Sequence, residues 1–293
     1  MSTPKNLPLG IALMILTTFV FSVQDATSRV LGEKYPVELI VMIRFLIMGA
    51  FVLTLSAMRR GGIRRAAKTQ NIWLQLSRGA LLICEIAIIM VGFVRLGLVG
   101  THSIFVIYPL LIVALSGPML GEQIGWRSWS AVGMGFVGVL IILRPGMTVV
   151  SPDVIFPFAA ALMFALYNVI TRKATQLDGP DTTFFYMGIG GALAGFILGI
   201  FHVEPIAMAD WGWVALLCVT GTLSQFTLIR ALDVADASSL QPFSYAQLVF
   251  VSIFGVMFFN DSFDLWTGVG AAVIVCSGLF ALYRRRVKRA DRH

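Results

Sequence analysis

Charge is what this chain has least of. Only 13% of its residues are Asp, Glu, Lys or Arg, against about 25% in soluble domains. Too little polar side chain exists to coat a water-facing surface, and a soluble globular fold is excluded. Histidine is nearly missing: His102, His202 and His293 stand far apart, and with no His-Glu-x-x-His pair a zinc protease is excluded. No Gly-x-x-x-x-Gly-Lys-Ser/Thr loop is present to cradle phosphates, and no Gly-x-Ser-x-Gly elbow to carry a nucleophile. An ATP-driven pump and a serine hydrolase are thereby disfavoured, and nothing calls for a metal or cofactor. Cys84, Cys218 and Cys276 each fall inside an apolar run, which argues against a disulfide framework. Long polar segments are missing too. The longest link, Met58 to Asn71, leaves no room for a soluble domain.

Apolar residues fill the space. They make up 58% of the 293 residues, and the mean hydropathy is +0.86. A helix needs roughly 20 apolar residues to cross the hydrocarbon core. Ten such runs can be placed, beginning near Leu7, Val37, Ile72, Leu98, Ser128, Val154, Thr182, Trp211, Ala237 and Leu265. The first is longer than a signal-peptide core and lacks a small-x-small cleavage pattern, so it reads as an uncleaved membrane helix. With the amino terminus in the cytoplasm, the inner segments hold Lys5, five basic residues between Arg59 and Lys68, Arg127, Arg172, Lys173, Arg230 and the tail from Arg284 to Arg292. Only Arg29, Lys34, Arg95 and Arg144 fall outside. This imbalance puts both termini inside. It also accounts for the net charge of +7 without a nucleic-acid partner, and the tail is suited to touch anionic lipid.

The chain also repeats itself. FSVQDATSR, Phe21 to Arg29, matches FALYNVITR, Phe164 to Arg172. GEQIGWRSWSAVGMGFVGVLIILR, ending at Arg144, resembles NDSFDLWTGVGAAVIVCSGLFALYR, ending at Arg284, with Val132-Gly133 answered by Val269-Gly270. Helices 1 to 5, within residues 1–148, thus correspond to helices 6 to 10, within 149–293. Five is odd, so the second half enters the membrane from the opposite face. Such an inverted repeat places a substrate near the midplane between the halves and lets access alternate. The expected fold is an all-α membrane protein of ten transmembrane helices in two inverted five-helix repeats.

Polar groups in such helices cost several kcal/mol when unpaired, about 2.5 to 3.5 for a central charge. Thr18, Phe21, Asp25 and Ser28 share one face of helix 1, with Gln24 beside them. Asn168, Thr171 and Tyr167 form the matching line on helix 6. Asp25 and Asn168 either bind the polar part of a substrate or tie helices together. Arg44 and Glu85 lie in helices 2 and 3. Glu85, midway between Asn71 and Arg95, is either half of a buried pair or a cavity-lining group that receives a substrate ammonium or a coupling proton. Helix 4 carries Thr101, His102, Ser103, Tyr108 and Pro109; helix 9 carries Gln241, Pro242, Phe243, Ser244, Tyr245 and Gln247; helix 8 adds Ser224 and Gln225. Pro109 and Pro242 bend their helices and are candidate hinges. Gly191, Gly195 and Gly199 permit close helix approach.

The order Pro109, Gly121-Glu122, Gly133 and Gly138 is similar to that of the drug/metabolite transporter superfamily, and within it the ten-helix EamA-type exporters. The second half departs from the pattern, with Asn260-Asp261 in place of Gly-Glu and Tyr245 near the expected proline. The resemblance spans the chain and implies a basket of two inverted repeats that moves small metabolites by secondary transport. The aromatics Phe21, Tyr108, Tyr167, Phe243 and Tyr245 resemble the aromatic amino-acid exporter branch, whereas the Gln24-Asp25 pair resembles members that take up adenosyl-type metabolites. The leading expectation is export of neutral or aromatic amino acids across a bacterial-type inner membrane. The transport is expected to be proton-coupled and to proceed by alternating access, with no oligomer required. Efflux of drugs or quaternary cations is the nearest rival. An intramembrane enzyme is disfavoured by the missing nucleophile and metal set, and a passive channel by the lack of a ring of like charges.

Overall fold

The computed structural model describes residues 6–58, 62–121, 126–143, 151–235, 237–261, 264–266 and 268–277. Glu122, Arg144 and the basic tail lie outside them. Every described element is helical: α1 Leu7–Gly32, α2 Val37–Met58, α3 Gly62–Ala66, α4 Ile72–Phe105, α5 Tyr108–Leu120, α6 Trp126–Leu143, α7 Ile155–Asp178, α8 Pro180–Gly199, α9 Trp211–Val234, α10 Ala237–Ser244, α11 Ala246–Phe259 and α12 Gly268–Ser277. Local chemistry starts them where the sequence offers a cap. Asn6 Oδ1 accepts from the Leu9 amide at 3.1 Å, and Asn71 Oδ1 from the Leu74 amide at 3.0 Å. Apolar side chains such as Phe19, Leu46, Leu193 and Ile197 point outward, as a lipid-facing surface requires. All six tryptophans, Trp73, Trp126, Trp129, Trp211, Trp213 and Trp266, lie on the exposed perimeter.

Among the described residues six helices are long and apolar enough to cross a membrane, and α5, α11 and α12 are shorter apolar helices. The ten expected runs gain detail. The expected boundary near Leu98 falls within α4 at Gly97, whose φ of 74° and ψ of 172° leave the helical region between two helical stretches. The fourth run is itself broken after Phe105. Pro109 has no amide hydrogen for the Phe105 carbonyl, and α5 restarts with that proline in its first turn. The ninth run breaks at Tyr245 between α10 and α11. Pro242 lies inside α10, upstream of that break.

The most extensive packing joins α1 with α9, α2 with α8 and α4 with α7. Glycine makes the α2–α8 contact close. A Cβ on Gly191 would run into the Phe45 ring, one on Gly199 into the Glu38 carbonyl and Met42, and one on Gly49 would come within 2.8 Å of Ala192. Gly191→Leu is expected to lower the apparent melting temperature in detergent by roughly 5 °C, about 2 kcal/mol of overpacking. Gly133→Ala, where nothing lies within 4 Å, should leave it unchanged.

Candidate substrate site

Phe21, Gln24, Asp25 and Ser28, at i, i+3, i+4 and i+7, turn one face of α1 into a wall. Glu85, Ile86, Ile89, Met90, Phe93 and Phe105 of α4 face it, and Phe164 of α7, Gln225 of α9 and Gln247 of α11 complete the lining. The space between them is about 30 Å³, room for no more than a few waters. Nothing much larger than water fits there unless these helices move apart.

One side of this space is polar. Asp25 Oδ2 accepts from Gln247 Nε2 at 3.0 Å, and Gln24 Nε2 is 3.5 Å from Oδ1. His102 Nε2 lies 3.1 Å from Asp25 Oδ2 but makes no directed hydrogen bond to it. Gln24 Oε1 accepts from Arg44 Nη2 at 3.0 Å, and Ser224 Oγ is 3.0 Å from the same oxygen. Glu85 is 3% exposed and has no hydrogen-bond partner among the described residues. The opposite side is aromatic. Phe164 contacts Phe21, Phe105, Tyr108 and Tyr167 with centroid distances of 4.9 to 6.1 Å, and His102 stacks on Phe93 at 5.3 Å. Flat rings and buried amides together suit a ligand with a planar face and polar edges.

The sequence-expected residues divide accordingly. Gln24, Asp25, Glu85 and Gln225 line the cavity, with Tyr167 and His102 one contact behind. Tyr167 donates to Gln225 Oε1 at 3.0 Å. Three others turn to their own helices: Asn168 Nδ2 donates to the Phe164 carbonyl at 2.8 Å, Ser103 Oγ to the Val99 carbonyl at 2.6 Å, and Gln241 Nε2 to the Ala237 carbonyl at 3.0 Å. Ser244 bonds Gln241 Oε1 at 3.2 Å. Tyr108 packs among the rings, Phe243 is partly buried, and Tyr245 is buried. Gln247 joins the lining although its sequence position gave only one polar group among several on helix 9. Arg44, one of two intramembrane arginines, turns out to brace the wall.

The two motif arginines mark opposite ends of the bundle. Lys34 Nζ meets Asp210 at 2.7 Å, while the Asn6 amide donates to the Val234 carbonyl at 3.1 Å, so α1 and α9 run antiparallel. At the end reached by α1, Arg29 Nη1 pairs with Asp261 Oδ1 at 2.6 Å and stands over the Phe259 ring at 4.4 Å. Asp261 Oδ2 also accepts from the Val99 amide at 3.1 Å, just past the Gly97 bend. This one carboxylate ties α1, α4 and α11. At the other end Arg172 donates to the Leu232 and Asp233 carbonyls at the close of α9, where a cation complements the helix dipole.

A family model described as the EamA-like transporter family matches residues 8–144 and again 152–283. The chain is 26% identical over 292 residues to an S-adenosylmethionine uptake transporter of Rickettsia prowazekii (strain Madrid E), covering 97% of this chain and 96% of that protein. It is 27% identical over 291 residues to a riboflavin transporter of Vibrio cholerae serotype O1, covering 94% of each. A protein of known crystal structure superposes with a TM-score of 0.68 at 19% identity over 96% of this chain and 98% of that one, a likeness of fold.

Proposed function

Given that the chain belongs to the EamA-like transporter family, we propose that it is an inner-membrane carrier for a small metabolite built on a planar nitrogen heterocycle with a hydroxylated chain, of the adenosyl or flavin kind. That it is a multi-span membrane transporter follows from the family. The observation that carries the substrate reading is the cavity itself, rings around Phe164 on one side and Gln24, Asp25, Glu85, Gln225 and Gln247 on the other. A heterocycle stacked on the rings turns its polar edge toward the amides. The two relatives support this reading, being named for S-adenosylmethionine uptake and for riboflavin, and neither is named for amino acids or for export. The expectation of aromatic amino-acid export gives way to uptake of a heterocyclic metabolite.

Residues 1–148 and 149–293 act as two inverted halves, both termini cytoplasmic, that exchange conformations about this centre. The packing supports this. Exchanging the halves carries the α1–α9 contact onto α7–α4 and the α2–α8 contact onto itself. Asp25 and Glu85 serve as substrate and coupling groups, and the breaks near Pro109 and after Pro242 supply the moving joints.

The test uses the full chain in proteoliposomes, with labelled S-adenosylmethionine, riboflavin and phenylalanine, each with and without a pH gradient. Uptake of a heterocycle is the expected result; movement of phenylalanine alone would overturn the substrate class. Glu85→Gln is expected to slow uptake about tenfold and to flatten its pH dependence, measured as initial rates between pH 5.5 and 8. Full rate with an unchanged pH profile would remove Glu85 from coupling.

A further inference from the structure

Arginine only donates hydrogen bonds, and this fixes how two glutamines of the cavity wall face. Arg44 is 1% exposed and Arg78 is 0% exposed, and neither lines the cavity. Gln24 Oε1 receives Arg44 Nη2. Were that amide turned over, donor would meet donor. The carbonyl oxygen is therefore committed to Arg44, and Nε2 stands on the Asp25 side. Arg78 works at one remove. Its Nη1 is 3.4 Å from the Tyr167 hydroxyl oxygen, and of the two acceptors that hydroxyl can reach, Gln225 Oε1 at 3.0 Å and Met187 Sδ at 3.3 Å, the amide oxygen is the nearer and the stronger. Gln225 Nε2 has no partner among the described residues, and the residue lines the cavity.

Two amides, from α1 and α9, thus present N–H groups to one small space. A mere tie between α1 and α2 would not require a buried guanidinium, whose insertion is costly and whose Nε and Nη1 here have no partner. We infer that Arg44 and Arg78 are positioning residues that set the hydrogen-bond polarity of the site, so that Gln24 and Gln225 select a substrate presenting an acceptor edge, the ring nitrogens or carbonyl oxygens of a planar heterocycle. This inference rests on the heterocycle-carrier reading and adds which edge is read.

Analogues in which one ring nitrogen is replaced by C–H keep the shape and lose the acceptor. The test measures inhibition of uptake by adenosine and its 1-, 3- and 7-deaza analogues, or by riboflavin and its 1- and 5-deaza analogues if that is the heterocycle moved. In the native protein at least one deaza analogue binds roughly tenfold or more weakly, since a buried donor loses its partner. Arg44→Gln, which lets Gln24 turn over, shrinks that ratio to about threefold or less, while the donor-only Arg44→Lys keeps it. Gln24→Glu, an isosteric change that retains the Arg44 contact, serves as the second variant and also collapses the ratio. A ratio unaltered in both Arg44→Gln and Gln24→Glu, or native protein indifferent to every deaza analogue, would overturn the inference while leaving the carrier reading intact. Native protein that transports no heterocycle overturns the substrate reading and the inference together.

Discussion

Asp25→Ala is expected to lower uptake about a hundredfold, the largest effect of any single cavity residue. Its carboxylate gathers groups from three helices: Gln24 beside it, His102 of α4 at 3.1 Å and Gln247 of α11 at 3.0 Å. Removing it strands the Gln24 and Gln247 amide donors in a space walled by phenyl rings. Each buried donor left unpaired costs about 1 to 3 kcal/mol, and a hundredfold change corresponds to about 2.7 kcal/mol. Asp25→Asn keeps the shape and one acceptor and should lose about tenfold, roughly 1.4 kcal/mol. Initial rates over a range of substrate concentration separate KM from Vmax, and the melting temperature in detergent checks folding. Asp25→Ala that keeps more than a tenth of the native rate would show that the carboxylate is a helix tie and no more.

The second large effect concerns access. Asp261 binds Arg29 at 2.6 Å and the Val99 amide at 3.1 Å, and both partners sit where chains change direction. Gly97 takes a φ of 74°, and a Cβ there would lie 2.9 Å from the Asp261 carboxylate. Asn260 also adopts a left-handed φ, 52°, to bring Asp261 round. Asp261→Ala frees the ends of α1, α4 and α11 at once. Loss of about 2 kcal/mol from this partly buried pair shifts the balance between conformations roughly thirtyfold. Ser28→Cys, beside Arg29 in the chain and on the cavity wall, reports the shift. In a chain whose native cysteines are replaced by alanine, its reaction with a membrane-impermeant maleimide should speed up about tenfold or more from one side only. Equal rates with and without Asp261 would mean that the cluster braces the helix ends without governing entry.

How much of this could be read beforehand differs by element. The helical membrane class and the polar face of α1 were legible, because spacing along a helix dictates which residues share a face, and Gln24, Asp25 and Ser28 do line the cavity. Glu85 was legible for a different reason: a carboxylate far from both ends of an apolar run has few places to go. Asn168 shows where such reading ends. The repeat set it opposite Asp25, yet its amide donates to the Phe164 carbonyl one turn back, a choice that depends on a side-chain torsion rather than on sequence spacing. Gln247 and Arg44 show the converse. Their importance comes from contacts across more than 200 residues and 20 residues of chain respectively, and no local pattern records such contacts. The break at Gly97 sits beside the expected start of the fourth run at Leu98, but its requirement for glycine was not legible: it lies in a positive φ and in the nearby carboxylate of Asp261, far along the chain.

The tryptophans on the perimeter bear on how the substrate question can be answered by light. All six are exposed, so their emission reports the surrounding lipid or detergent rather than contact with a bound ligand. A flavin absorbs where tryptophan emits, and held at the centre of the bundle it would draw energy from the whole ring by transfer through space. An adenosyl ring does not absorb there and would leave the same emission undimmed. The placement of these residues away from the cavity therefore turns an ordinary fluorescence titration into a way of telling the two heterocycles apart.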